Sequence, residues 1–451
     1  MSDSEHFDLI VIGTGSGGSV AAGKCAGAGW KVAQIDSRPF GGTCARRGCD
    51  PKKVLVGAAE AVDWTRRMKG RGVHGKAEID WQNMMEFKRG FTEPVPENRE
   101  KAMEKQGITP VHGRARFTDE RTLRVGGRTL TGDRMLIAAG AKPAPLPIDG
   151  IDHMVTSTDF LELDNLPDSL IFVGGGYISF EFAHIAARAG SEVHIVHRGD
   201  RPLENFDADL SNILLEKTRQ LGITVQLNAE VQTVRKSQNH FTVEASQNGD
   251  TKSLKADLVV HGAGRVPDID DMQLDHAKVE RDKGGIVVND FLQSPDNPRV
   301  YAAGDAASSP GKPLTPVAGF ESHIVASNLL NGNNREAKYP VQPSMVFTIP
   351  PLAMAGLTED EANERGLEVD IKSGRTDGWY SSKRTNETHT GYKTLVDKES
   401  DTVIGAHLIG EQAPELINML TMAINRGIKT TEMKQMIFAY PTYGSNLQYM
   451  I

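Results

Sequence analysis

The sequence predicts an α/β protein: two doubly wound, Rossmann-like nucleotide-binding domains followed by a C-terminal α+β domain. Three observations carry this prediction. An apolar strand, a glycine-rich turn and a small-residue helix succeed one another from Phe7 to Asp36. The same order returns between Ser169 and His197. From about Tyr339 the pattern changes to alternating strand segments and one apolar helix. Paired strand–turn–helix–strand units build parallel sheets covered by helices on both faces.

Each element follows from local chemistry. "FDLIVIG" is a continuous apolar run, as a strand buried on both faces requires. It leads into "GTGSGG", a helix over Ser19–Gly29 and a second strand, "KVAQID". The later unit reads "SLIFVGGG", a helix through "YISFEFAHIAARAG", then "SEVHIVH". Between the units, helices are expected over Lys52–Lys69 and Glu97–Gln106, and the proline-rich end of "RMLIAAGAKPAPLP" reads as a linker. "ADLVVHGAGRVPD" and "VYAAGDAA" follow the second unit. In the last segment, Tyr392–Val396 and Thr402–Ile409 read as strands and Ala413–Arg426 as a helix.

Bulk composition narrows the function. The 451 residues suit several domains, and a net charge of −8 argues against a nucleic-acid surface. The basic run Arg66, Arg67, Lys69, Arg71 reads as a solvated face rather than a polyanion site. No run approaches the ~18 apolar residues of a membrane span, and the N-terminus lacks the basic and apolar regions of a secretory signal. A cytoplasmic location and no membrane partner are expected.

The two glycine turns carry chemistry. Gly13-x-Gly15-x-x-Gly18 lets the backbone approach a pyrophosphate at a helix N-terminus. Asp36 stands 23 residues after Gly13, where a carboxylate accepts a ribose hydroxyl. The second turn is Gly174-x-Gly176-x-x-Ser179, and 23 residues after Gly174 stands His197, followed by Arg198, with Arg201 nearby. Neutral or cationic donors in place of the acid suit a 2′-phosphate. The first unit is therefore expected to take FAD and the second NADPH, with NADH possible. The competing reading makes His197 and Arg198 a solvated strand end.

"GGTCARRGCDPKK" places Cys44 and Cys49 after a Gly-Gly turn, at an expected helix start. A disulfide closing so short a loop stabilises by only about 2 kcal/mol. Zinc would need four ligands, and no Cys/His cluster accompanies the pair. A helix N-terminus lowers a thiol's pKa, and Arg46, Arg47 and Lys52 add positive charge if they face inward. Redox use follows. Cys25, within the first helix, reads as a small buried hydrophobe.

With "GTGSGG", "GGTC…GC.PKK", "IAAGAKP", "GGGYIS.E", "AAGD" and "LTPVA" in order, the chain resembles the pyridine nucleotide–disulfide oxidoreductases nearly end to end. That group contains glutathione reductase, dihydrolipoamide dehydrogenase and mercuric reductase. The resemblance implies that Cys49 lies against the flavin as the charge-transfer thiolate and that Cys44 attacks substrate. It implies that Lys52 approaches the flavin N5 and pairs with Glu181, and that Tyr177 gates the nicotinamide pocket. Asp305 would hold the ribityl chain, Ala138, Ala139 and Gly140 would back the flavin, and Gly42 and Thr43 would join the cofactor-binding set. Residues 1–145 and 265–338 would form the FAD domain, 146–264 the NAD(P)H domain and 339–451 a dimerisation domain. Each active site of the homodimer would then draw on both subunits.

The resemblance breaks in two places. Where family disulfide reductases carry a C-terminal His-Pro-Thr with a Glu five residues after the His, this chain has Tyr440 and Ser445. A phenol with pKa near ~10 is a poor base at neutral pH. Where glutathione reductases carry arginines, Gly23 and His323 stand. Nor is there a cysteine after Cys49, although mercuric reductases end in a vicinal pair. The expected reaction passes electrons from NADPH through FAD and the dithiol to a disulfide or a thiol-bound metal ion. Two alternatives stay open: direct reduction of quinones or dyes with subsidiary cysteines, and a non-catalytic redox-sensing flavoprotein.

Overall fold

The computed structural model describes residues 4–451, which divide into two compact units. The first unit holds the described residues through Lys52, Phe87–Ala144 and Arg265–Tyr339. Its sheet runs Ile108–His112, Val32–Asp36, Glu5–Ile12, Arg128–Ile137, Thr122–Val125, Ala115–Phe117, and Val300–Ala302 also pairs with Arg128–Ile137. Four parallel pairings join Ile108–His112, Val32–Asp36, Glu5–Ile12, Arg128–Ile137 and Val300–Ala302; Thr122–Val125 and Ala115–Phe117 join antiparallel. Leu9, Ile10 and Val11 are fully buried, as the unbroken apolar run requires. The chain leaves this unit after Ala141–Pro143 and re-enters at Arg265–Pro267. These two strands pair antiparallel, tying exit to entry.

The second unit holds Lys53–Glu86, Pro145–Gly264 and Pro340–Ile451. Its parallel sheet runs Thr224–Gln226, Glu192–Val196, Ser169–Val173, Leu258–His261. A three-stranded antiparallel sheet over residues 229–256 follows, with no counterpart in the sequence reading. The C-terminal part is a five-stranded antiparallel sheet: Ser344–Val346, Leu352–Gly356, Thr402–Ile409, Gly391–Asp397, Val369–Arg375. Helix Ala413–Arg426 packs Leu416, Ile417 and Leu420 into that sheet's core. Among the described residues no helix is long and apolar enough to cross a membrane.

Two local expectations need correction. The first helix starts at Ser16, three residues before the expected Ser19, because Gly15 is already its N-cap. Arg67 does not lie on a solvated face. It donates to Asp63 at 2.7 Å and to the carbonyl of Thr385 at 2.5 Å, and its side chain is 11% exposed.

Candidate active site

Glycine at the first turn is required by contact. Gly13 has φ +115°, and a Cβ there would lie 2.1 Å from the carbonyl oxygen of Ala138. A Cβ at Gly18 would lie 2.6 Å from the Gly13 oxygen, so the helix could not close on its strand. Gly15 and Gly42 face each other: a Cβ on Gly42 would come 2.5 Å from the Gly15 Cα. Thr14, which the sequence reading passed over, joins these parts. Its hydroxyl donates to Asp36 Oδ2 at 2.6 Å and accepts from the Gly41 N–H at 3.0 Å, and its own N–H donates to the same carboxylate at 3.1 Å. The acid that would hold a ribose is thereby fixed to the N-cap of the helix that carries Cys44.

The residues beyond that turn suit a bound dinucleotide. Arg46 Nε is buried without a hydrogen-bond partner. The Arg47 guanidinium is pushed down to about 10 by burial and by Arg38, so a ligand anion beside either arginine would relieve it. Burial raises the Asp305 carboxyl, against the pull of Arg265. Hydroxyl donors from a ligand would satisfy it. Glu321, also missed, braces the Asp305 turn: it accepts from the Gly304 N–H at 2.5 Å, from Ser309 at 2.6 Å and from the Tyr339 hydroxyl at 2.6 Å. Ala138 donates to the Ile12 carbonyl at 2.8 Å, and beyond Ala139, Gly140 turns with φ +72° and accepts from Asp268. The lost glutathione-type arginine positions, Gly23 and His323, lie in the two helices Ser16–Gly27 and Thr315–Asn331.

The cysteines sit on two helices rather than one. Gly42–Arg47 carries Thr43 and Cys44, and Cys49–Met68 begins at Cys49. Gly48 makes the break; a Cβ there would lie 2.9 Å from the Thr43 oxygen. Both are free thiols close enough to hydrogen bond each other. The bond from Cys44 is the largest influence lowering Cys49 to about 6, with Lys52 and Thr315 contributing against burial. Cys44 is pushed upward by the same bond and by burial, and its thiol also faces Asp50 Oδ1 at 3.9 Å. The expected role of Arg46 and Arg47 is corrected: Arg47 interacts with Asp36, Arg38 and Arg265 instead, and the cation acting on Cys49 is Lys52. The pair is thus one thiolate beside one thiol at neutral pH.

This asymmetry gives a pH prediction. A thiol held at about 6 is roughly nine-tenths thiolate at pH 7. Its reactivity is present above that value and is lost as pH falls through it. Alkylation of Cys49 by iodoacetamide should show a midpoint near 6. Thr315, whose hydroxyl lies 3.8 Å from the Cys49 sulfur, lowers it. Thr315→Val should move the midpoint up by as much as about one pH unit.

In the second unit, Gly174 has φ +112°, with Gly262 and Ala263 pressed against it. Ser179 fits at the helix-packing place because Gly262 opposes it: a Cβ at Gly262 would lie 2.1 Å from the Ser179 hydroxyl. Gly174, Gly176, Tyr177, His197 and Arg198 line one cavity of about 660 Å³. Tyr177 opens the helix Tyr177–Ala189 and is half exposed. Glu181, one turn on, is buried and accepts from the Phe347 N–H at 2.8 Å. His197 departs from the expected phosphate reader. Its ring lies between Gly175 and Gly199, and Nε2 faces the Arg201 carbonyl at 3.0 Å and Glu204 Oε1 at 3.2 Å. A carbonyl only accepts, so that nitrogen's proton is directed into the protein. Arg201 is likewise occupied, donating to the carbonyls of Glu204 and Phe206. Arg198 alone remains as an exposed cation on the lining.

At the C-terminus, Tyr440 is 78% exposed. Ser445 cannot orient it: the serine hydroxyl donates to the Thr442 carbonyl at 2.6 Å and closes a local turn.

Comparison with known proteins agrees with this architecture. Residues 7–327 match the family described as pyridine nucleotide-disulphide oxidoreductase, and residues 342–451 match that family's dimerisation domain. The chain is 30% identical over 447 residues to a mercuric reductase of Bacillus cereus, covering 98% of this chain and 70% of the relative. It is 51% identical over 180 residues to a 19.7 kDa protein in the mercuric resistance operon of Staphylococcus aureus, covering 40% of this chain and 100% of that one. Among solved structures, the Cu(II) complex of the HOCl-induced flavoprotein disulfide reductase RclA from Escherichia coli superposes with a TM-score of 0.88. Its identity is 26%, and 99% of each chain is covered.

Proposed function

Because the chain belongs to the pyridine nucleotide-disulphide oxidoreductase family, whose members are FAD-dependent oxidoreductases, we propose that it passes electrons from NADPH through Cys44 and Cys49 to a thiol-bound metal ion or a disulfide. The observation that carries this reading is the unequal thiol pair: Cys49 held at about 6 beside Lys52, Cys44 pushed up. Bound FAD supplies the two-electron exchange between a nicotinamide and the dithiol. Gly13, Gly15, Gly18, Asp36, Gly42, Thr43, Ala139, Gly140 and Asp305 would hold it; Gly174, Gly176, Tyr177 and Arg198 would hold the nicotinamide nucleotide. Lys52, whose positive charge acts on Cys49, would keep that sulfur ionised while Cys44 engages the acceptor.

The C-terminus favours the metal acceptor. Reducing a disulfide releases a thiolate that needs a proton, and Tyr440 without an orienting acid is a weak source. Reduction of a thiol-bound metal ion breaks no sulfur–sulfur bond: the ion takes the electrons as the Cys44–Cys49 dithiol closes to a disulfide, and each thiol ligand only regains from solvent the proton it gave up on binding. The likeness to mercuric reductase and to a Cu(II)-binding disulfide reductase points the same way. A homodimer formed through residues 339–451 would let the exposed Tyr440 serve the partner's site.

The test is an anaerobic acceptor screen with Hg(II), Cu(II), glutathione disulfide and a quinone. Metal turnover should exceed that of the disulfide by at least about tenfold, and Tyr440→His with Ser445→Glu should raise disulfide reduction about tenfold or more. Equal, rapid disulfide reduction by the unmodified protein would overturn the acceptor assignment.

A further inference from the structure

The cavity assigned to the nicotinamide nucleotide is not cationic. Its lining carries one arginine, Arg198, and two carboxylates, Glu204 and Glu230. His197 adds no free donor, because its Nε2 proton already faces the Arg201 carbonyl and Glu204. Glu204 arrives from the loop after strand Glu192–Val196, and its place there is built. The Arg201 guanidinium holds the Glu204 carbonyl at 2.7 Å and the Phe206 carbonyl at 3.0 Å. Gly199 leaves room for the carboxylate; a Cβ there would lie 2.4 Å from Glu204 Oε1.

We infer that Glu204 is a specificity-determining residue of this cavity, accepting adenosine ribose hydroxyls and opposing a 2′-phosphate, so that NADH is used alongside NADPH. The inference rests on the reading of the cavity as the nucleotide site. Physically, an unmodified ribose offers two hydroxyl donors to a carboxylate, whereas a 2′-phosphate brings nearly two negative charges toward it. Arg198 pulls the other way, so the two residues set the preference between them. The Glu204 side chain is 61% exposed, and solvent screening keeps the effect moderate.

The test measures binding of 2′,5′-ADP and 5′-AMP to the FAD-loaded protein by calorimetry, with NADPH and NADH oxidation measured in parallel. In Glu204→Gln, affinity for 2′,5′-ADP should rise about tenfold while that for 5′-AMP stays within about threefold, and the NADPH/NADH ratio of kcat/KM should rise to match. Arg198→Ala should move both ratios the opposite way. Unchanged ratios in Glu204→Gln, with both probes bound, would overturn the role of Glu204. Failure of both probes to bind the unmodified protein would instead overturn the cavity assignment itself.

Discussion

With Cys44 replaced by alanine, the protein stops reducing metal and disulfide acceptors, a loss of at least ~10³-fold, while it still oxidises the nicotinamide nucleotide when a quinone is supplied. The size follows from removing the nucleophile itself rather than a group that positions it. The quinone arm separates a lost relay from a lost fold. A second consequence is less obvious. The hydrogen bond from Cys44 is the first influence holding Cys49 at about 6, so in Cys44→Ala the alkylation midpoint of Cys49 should rise. Metal or disulfide turnover that survives the substitution would move the working centre elsewhere.

Loss of Asp63 should destabilise the second unit by about 3–5 kcal/mol. Arg188 is fully buried, and its guanidinium donates to Asp63 Oδ1 at 2.7 and 3.2 Å and to the carbonyls of His184 and Ile349. Asp63→Ala leaves that cation in the interior without its counter-charge. Asp63→Ala with Arg188→Met removes both charges and should recover most of the loss, because an apolar pair carries no desolvation penalty. The sign of the pH dependence is fixed. Burial pushes the Asp63 carboxyl up, but Arg188, Lys217 and the bonds from Arg188 and Arg67 outweigh it and hold it below the ordinary carboxylate value. Its contribution is therefore complete above that ordinary value and is lost as pH falls through the lowered one. Urea denaturation should show the wild-type advantage over Asp63→Ala shrinking at acid pH; a constant difference would assign the effect to packing alone.

The repeated units were legible because their signals are local. Apolar runs, positive-φ glycines and an acid at the strand end all lie within a single strand–turn–helix–strand unit. The C-terminal strand Thr402–Ile409 and helix Ala413–Arg426 begin and end where the pattern changes. What escaped depends on contacts that sequence spacing hides. Thr14 matters because folding brings residues 14, 36 and 41 to one point. Glu321 matters because its helix passes beneath Asp305's turn. His197 misled for the same reason: its position at a strand end suggested a phosphate donor, but the following loop curls back and captures its proton. Arg67 reads as surface charge because its partners, Asp63 one turn back and the distant Thr385 carbonyl, meet it only on folding.

The most direct measurement is differential alkylation with peptide mass spectrometry on the air-oxidised, FAD-loaded protein, before and after anaerobic NADPH. The relay predicts that Cys44 and Cys49 are protected beforehand and become alkylated after the nucleotide is added, with protection restored by Hg(II), Cu(II) or a disulfide acceptor. Continued acceptor reduction while both cysteines keep an unchanged alkylation state would contradict it.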